Sequence, residues 1–62
     1  MKRHTLLKHL KAHGCELLWE GEKHAMYHHP LERRTSAIPR HTEIANVLVR
    51  KICKDLGIIP PS

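Results

Sequence analysis

The sequence predicts a two-layer α+β fold in the order α-β-β-β-α, and three observations carry that prediction. Apolar residues recur at helical spacing near both ends of the chain. Between them lie three short β-like runs, bounded by turn residues and prolines. A glycine follows each helical stretch, Gly14 after the first and Gly57 after the second.

The first helix is expected from Arg3 to His13, where Leu6, Leu7 and Leu10 share a face and Lys8, His9 and Lys11 lie elsewhere. Gly14 ends it in a left-handed cap. From Cys15 to Glu20 the period shortens, Leu17 and Trp19 alternating with Glu16, Leu18 and Glu20, as in a strand. Glu20-Gly21-Glu22-Lys23 is polar and carries the glycine of a tight turn. A second strand runs from His24 to His29 and stops at Pro30, which lacks a backbone donor. Leu31 to Arg34 reads as a charged loop, and Thr35 to Ile38 as a third strand closed by Pro39. Thr42 is the expected N-cap of the last helix, with Glu43 in its first turn. Ile44, Val47, Leu48, Ile52 and Leu56 form its apolar stripe, and Gly57 with Pro60-Pro61 terminates it. The strands form one antiparallel sheet with both helices on one face, leaving the other open to a flat, charged ligand.

Length bounds what such a chain can do. With 62 residues it is read as a single domain, 1–62, and a core of that size supplies only about 3–5 kcal/mol. The expected core is Leu6, Leu7, Leu10, Leu17, Trp19, Ile38, Ile44, Val47, Leu48, Ile52 and Leu56. No apolar run approaches the ~20 residues that span a bilayer. Lys8, His9 and Lys11 break any signal-like stretch near the start, so a cytoplasmic protein with no membrane partner is expected. Eleven Lys and Arg against six Asp and Glu leave a net charge of +5, which favours polyanions, RNA or DNA first. Salt-sensitive binding would follow from counterion release. Charge alone shifts the odds modestly, since many small domains are basic.

Cys15 and Cys53 lie far apart without zinc-ligand spacing and are read as free thiols, one in a strand and one in a helix. Seven histidines raise a metal hypothesis. His9 and His13, four apart on a helix, are a workable ligand pair, but spacing offers no third ligand. His28 and His29 point to opposite sheet faces. No metal site and no cofactor are expected.

His24 differs by its neighbours. It follows the glycine turn, has Lys23 directly before it, and begins a strand that holds it rigidly. Imidazole titrates near neutrality and exchanges protons with hydroxyls. On composition alone, an exposed histidine with no role is still the better reading.

The motifs along the chain change that balance. Leu6-Leu7 and Leu10 precede Gly14; Gly21 precedes His24 and Tyr27; Ile38-Pro39-Arg40-His41 is followed by Glu43-Ile44; and Ile52-Cys53-Lys54-Asp55-Leu56-Gly57-Ile58 closes the pattern. In that order and spacing the chain resembles, nearly end to end, the HicA family of toxin ribonucleases. The resemblance implies a double-stranded-RNA-binding-domain-like fold, cleavage of messenger RNA with His24 as the required histidine, and a cognate HicB-like antitoxin that binds and blocks the toxin. Glu22 departs from the pattern, where glycine or serine is frequent. Its charge either repels RNA beside the phosphate site or, close to His24, favours the imidazolium.

On this reading His24 is the general acid or base of a metal-independent endoribonuclease, with the RNA 2′-hydroxyl as nucleophile. Lys23 and Arg40 are the candidates for holding phosphate, Arg34 a weaker one, each weighed against an ordinary surface cation. His28, on the same strand face, and His41, after the third strand, are options for a second acid or base. Tyr27 faces away from His24 and packs inward, and Trp19 is also read as core. Without further rings for bases to stack on, contacts mainly to backbone and sugar are expected. The alternatives are an RNA-binding module that does not cut, and a degenerate toxin that only titrates its antitoxin. A helix-turn-helix is rejected, because the sheet separates the two helices.

Overall fold

The computed structural model describes residues 1–61. Five elements follow in order: α1 (Arg3–Ala12), β1 (Glu16–Glu20), β2 (His24–His29), β3 (Arg34–Pro39) and α2 (Asn46–Leu56). Leu6 and Leu10, four residues apart on α1, are fully buried. On α2, Val49, Ile52, Cys53 and Leu56 are buried at i, i+3, i+4 and i+7, the apolar stripe of an amphipathic helix. Both helices end the same way. Gly14 (φ +86°) and Gly57 (φ +74°) turn left-handed. The next amide then reaches back five residues, Cys15 N–H to the Leu10 carbonyl and Ile58 N–H to the Cys53 carbonyl, both at 2.9 Å.

The strands form an antiparallel sheet in the order β1-β2-β3. Ala25 and His29 of β2 and Ser36 and Ile38 of β3 are buried on one face. Ile38 shares a core cluster with Leu6 and Leu10 of α1 and with Ile52 and Leu56 of α2, so both helices cover that face. This is the α-β-β-β-α arrangement of the double-stranded-RNA-binding domain. His24, Met26 and His28 alternate with the buried residues of β2 and occupy the uncovered face.

Three expectations need correction. First, α2 begins at Asn46 with Ala45 as N-cap, not at Thr42. Residues 42–44 are instead stitched to the chain start: Arg3 N–H donates to the Thr42 carbonyl and Ile44 N–H to the Met1 carbonyl, each at 2.8 Å, and Lys2 bridges Glu43. Extended pairing therefore replaces the expected cap. Val47 consequently points outward, 71% exposed, and Val49 takes its place inside. Second, β3 starts at Arg34, one residue earlier than expected, and Cys15 lies just before β1 rather than in it. Third, Leu17 and Trp19 are not core residues; they are 48% and 51% exposed.

A β-bulge explains the third point. Leu17 pairs with Tyr27, but Trp19 pairs with Met26, so β1 advances two residues while β2 advances one. Directly paired residues share a sheet face. Leu17 therefore lies on the helix side with Tyr27, where both line a groove of about 450 Å³ against Leu7 and Lys11 of α1. Trp19 lies on the uncovered face with Met26. Simple alternation had placed Leu17 and Trp19 together.

Candidate functional site

The uncovered face ends, at the β1–β2 turn, in a cluster that local sequence dictates. Gly21 N–H donates to the His24 carbonyl at 2.8 Å, closing the turn that starts β2 at His24. His24 is partly buried and its ring nitrogens make no hydrogen bond among the described residues. Its neighbour is Trp19, with ring centroids 6.0 Å apart and planes inclined at 57°. Across the ladder His24 pairs with Pro39, which brings Arg40 to the same end of the sheet. Arg40 Nε donates to the Gly21 carbonyl at 3.1 Å, and its Nη2 lies 3.4 Å from Glu20 Oε2. Lys23 stands exposed in the turn, adjoining His24 in sequence. Glu22 is exposed and makes no ion pair with His24; the carboxylate engaged in this cluster is Glu20.

The other candidates are dispersed. His28 is four residues along β2 from His24, roughly 13 Å at ~3.3 Å per residue, and its Nε2 lies 3.6 Å from Glu16 Oε1. Arg34 pairs with His29 at the far end of the ladder. Its guanidinium reaches the Lys54 carbonyl at 3.5 Å, at the end of α2. His41 is exposed one residue beyond Arg40. The structure thus gathers His24, Lys23 and Arg40 and separates Arg34 and His28 from them. It adds Trp19, which alternation alone placed in the core; the consecutive Leu17-Leu18-Trp19 was the one irregularity that signalled a bulge.

Two of the remaining histidines are held by backbone carbonyls. His29 is buried and its Nδ1 lies 2.9 Å from the Leu56 carbonyl, which satisfies an orphan acceptor at the end of α2. His9 Nε2 lies 2.8 Å from the Ile59 carbonyl, and the His9 and His13 rings are 4.3 Å apart. No cluster of three metal-ligating side chains occurs among the described residues. Cys15 and Cys53 are free and buried. Burial pushes both thiols above their usual pKa, and Cys53 raises that of Cys15 further.

The family model of the HicA toxin of bacterial toxin–antitoxin systems matches residues 3–58, nearly the whole chain. The protein is a HicA-family toxin. The match spans every element from α1 to α2, including the turn that carries His24 and the Pro39-Arg40 segment beside it. No curated protein and no solved structure matches this HicA toxin. Among its described residues no helix is long and apolar enough to cross a membrane.

Proposed function

We propose that this HicA-family toxin is an endoribonuclease that cuts messenger RNA by histidine acid–base chemistry and is neutralised by an acidic, HicB-like antitoxin covering His24. The observation that carries the reading is the pairing of His24 with Pro39. It brings an imidazole free of protein hydrogen bonds to the same sheet end as Arg40 and Lys23, on a face no helix covers.

In this mechanism His24 takes the proton of a ribose 2′-hydroxyl, whose oxygen attacks the adjacent phosphorus. The bond from phosphorus to the 5′-oxygen breaks, that oxygen takes up a proton, and a cyclic phosphate remains. Neither metal nor cofactor enters these steps. Lys23 and Arg40 hold the phosphate as charge develops on it. Arg40 has first to leave Glu20. Both side chains are about half exposed, and such a pair is worth only ~0–1 kcal/mol, so an arriving phosphate displaces the carboxylate at little cost. The second proton transfer falls to His41 rather than His28. Acid and base must each come within about 2.6–3.2 Å of atoms on one phosphate, and four residues of strand put His28 too far along. Arg34, at the far end of the sheet, is left to contact neighbouring phosphates.

Labelled single-stranded RNA incubated in EDTA with the wild type and with His24→Ala tests the reading, thermal melts confirming that both are folded. The wild type is expected to cleave and the variant to lose about 10²–10⁴-fold in rate. Equal cleavage by the variant would overturn the role of His24. A folded wild type that binds RNA without cutting it would point to the binding module instead, and one that binds only an antitoxin to a degenerate toxin.

A further inference from the structure

Trp19 is the only tryptophan in the chain, and the bulge in β1 directs it away from the core. A half-exposed indole is an unusual way to spend the largest apolar side chain of a 62-residue protein. Its position is nevertheless defined. One ring edge lies over Gly21, close enough that a Cβ there would sit 2.9 Å from Cζ3, and His24 flanks it at 6.0 Å. Met26 is its cross-strand partner. Lys23 and Arg40 stand at the same end of the sheet, Arg40 in its exposed pair with Glu20 and Lys23 beside Glu22 in the turn.

A half-exposed indole at the sheet end that carries Lys23 and Arg40 matches one ligand chemistry closely, a nucleobase attached to its phosphate. Bases stack on aromatic rings in single-stranded recognition, with little regard to sequence because every base has a π-face. Sequence alternation hid this feature by assigning Trp19 to the interior, which left the chain without a stacking ring. We infer that Trp19 is a stacking platform for one unpaired base of the RNA, next to the phosphate that His24 attends. The inference rests on the ribonuclease reading above and adds a base subsite to it. Trp19 positions the strand and takes no part in proton transfer. The ring lies within one nucleotide of the imidazole, so the stacked base belongs to a nucleotide flanking the scissile bond.

The test uses a single-stranded 2′-O-methyl oligonucleotide, which lacks the nucleophilic hydroxyl and therefore binds without being cut. Trp19 emission reports on the wild type directly, because no other tryptophan contributes. The anisotropy of a fluorescein label on the oligonucleotide reads affinity for the wild type and for the variants that lack that emission. Binding is expected to quench the wild type. Trp19→Ala should weaken affinity about 5- to 150-fold, the equivalent of one base–aromatic stack, and Trp19→Phe should retain most of it. Moving an abasic nucleotide along the oligonucleotide should cost the wild type affinity at one position and leave Trp19→Ala indifferent there. A merely structural Trp19 would not produce that coupling. Should Trp19→Ala fail to fold, the wild-type quench and abasic profile, with Trp19→Phe, still decide.

If the wild type cleaves RNA while Trp19→Ala binds and cleaves equally, the platform is overturned and the ribonuclease stands. If the wild type is quenched with the abasic profile described but cuts nothing, the platform stands and the ribonuclease falls. If it neither binds nor cuts, both fall. Loss of antitoxin binding in Trp19→Ala, with RNA affinity unchanged, overturns the platform and makes Trp19 a protein contact.

Discussion

At position 21 a Cβ would fall 2.9 Å from Trp19 Cζ3 and 3.2 Å from the His24 carbonyl oxygen. The carbonyl is backbone held by the turn hydrogen bond and has little room to yield. Gly21→Ala is therefore expected to destabilise the protein by about 1–3 kcal/mol, the usual cost of overpacking, and to shift Trp19 emission as the ring is displaced. Urea denaturation followed by that emission measures both. The glycine was legible in sequence as a turn residue, and so were His24 and Lys23, because a turn followed by an alternating run fixes where a strand starts. The neighbourhood of His24 was not. Arg40 joins it only through the pairing of β2 with β3, and Trp19 only through a one-residue bulge. Both depend on contacts between segments that spacing along the chain does not record.

Helix α2 shows the same limit at the scale of an element. Its end was readable, since Gly57 does what a left-handed cap requires. Its start was not, because Thr42-Glu43 carries a good capping signature that backbone pairing with residues 1–3 overrides. The true N-cap, Ala45, offers no side-chain acceptor, and no acidic residue lies in the first turn. The first amides of α2 thus lack a cap that a hydroxyl or carboxylate would provide. Ala45→Ser is expected to stabilise the protein by about 0.5–2 kcal/mol, read as a higher denaturation midpoint. An unchanged midpoint would mean that residues 42–45 already meet those amides in another way. The fold class itself came through intact, because helical spacing, strand alternation and turn residues agree across most of the chain.

Over the whole molecule, Cys15 and Cys53 join the core to the helices. Cys15 lies just past the Gly14 turn that ends α1, Cys53 lies on the buried stripe of α2, and both belong to the cluster that contains Ile38 of β3. Burial holds both thiols protonated beyond the pH at which unfolded cysteines ionise. Between the unfolded and the raised folded pKa the native state binds more protons than the unfolded one, so stability falls as pH rises. The contribution is intact below about pH 8.5 and is lost progressively above it. Denaturation midpoints between neutral and strongly alkaline pH should fall accordingly, and Cys53→Ala, less stable at every pH, should show the shallower decline. Equal slopes would assign the alkaline loss to other groups. The same burial gives the two sulfurs a second property. A water-borne thiol reagent cannot reach either one until the fold opens, so at saturating reagent the labelling rate becomes the opening rate. The sulfurs then act as a clock, recording the lifetime of the closed toxin and how far a bound partner prolongs it.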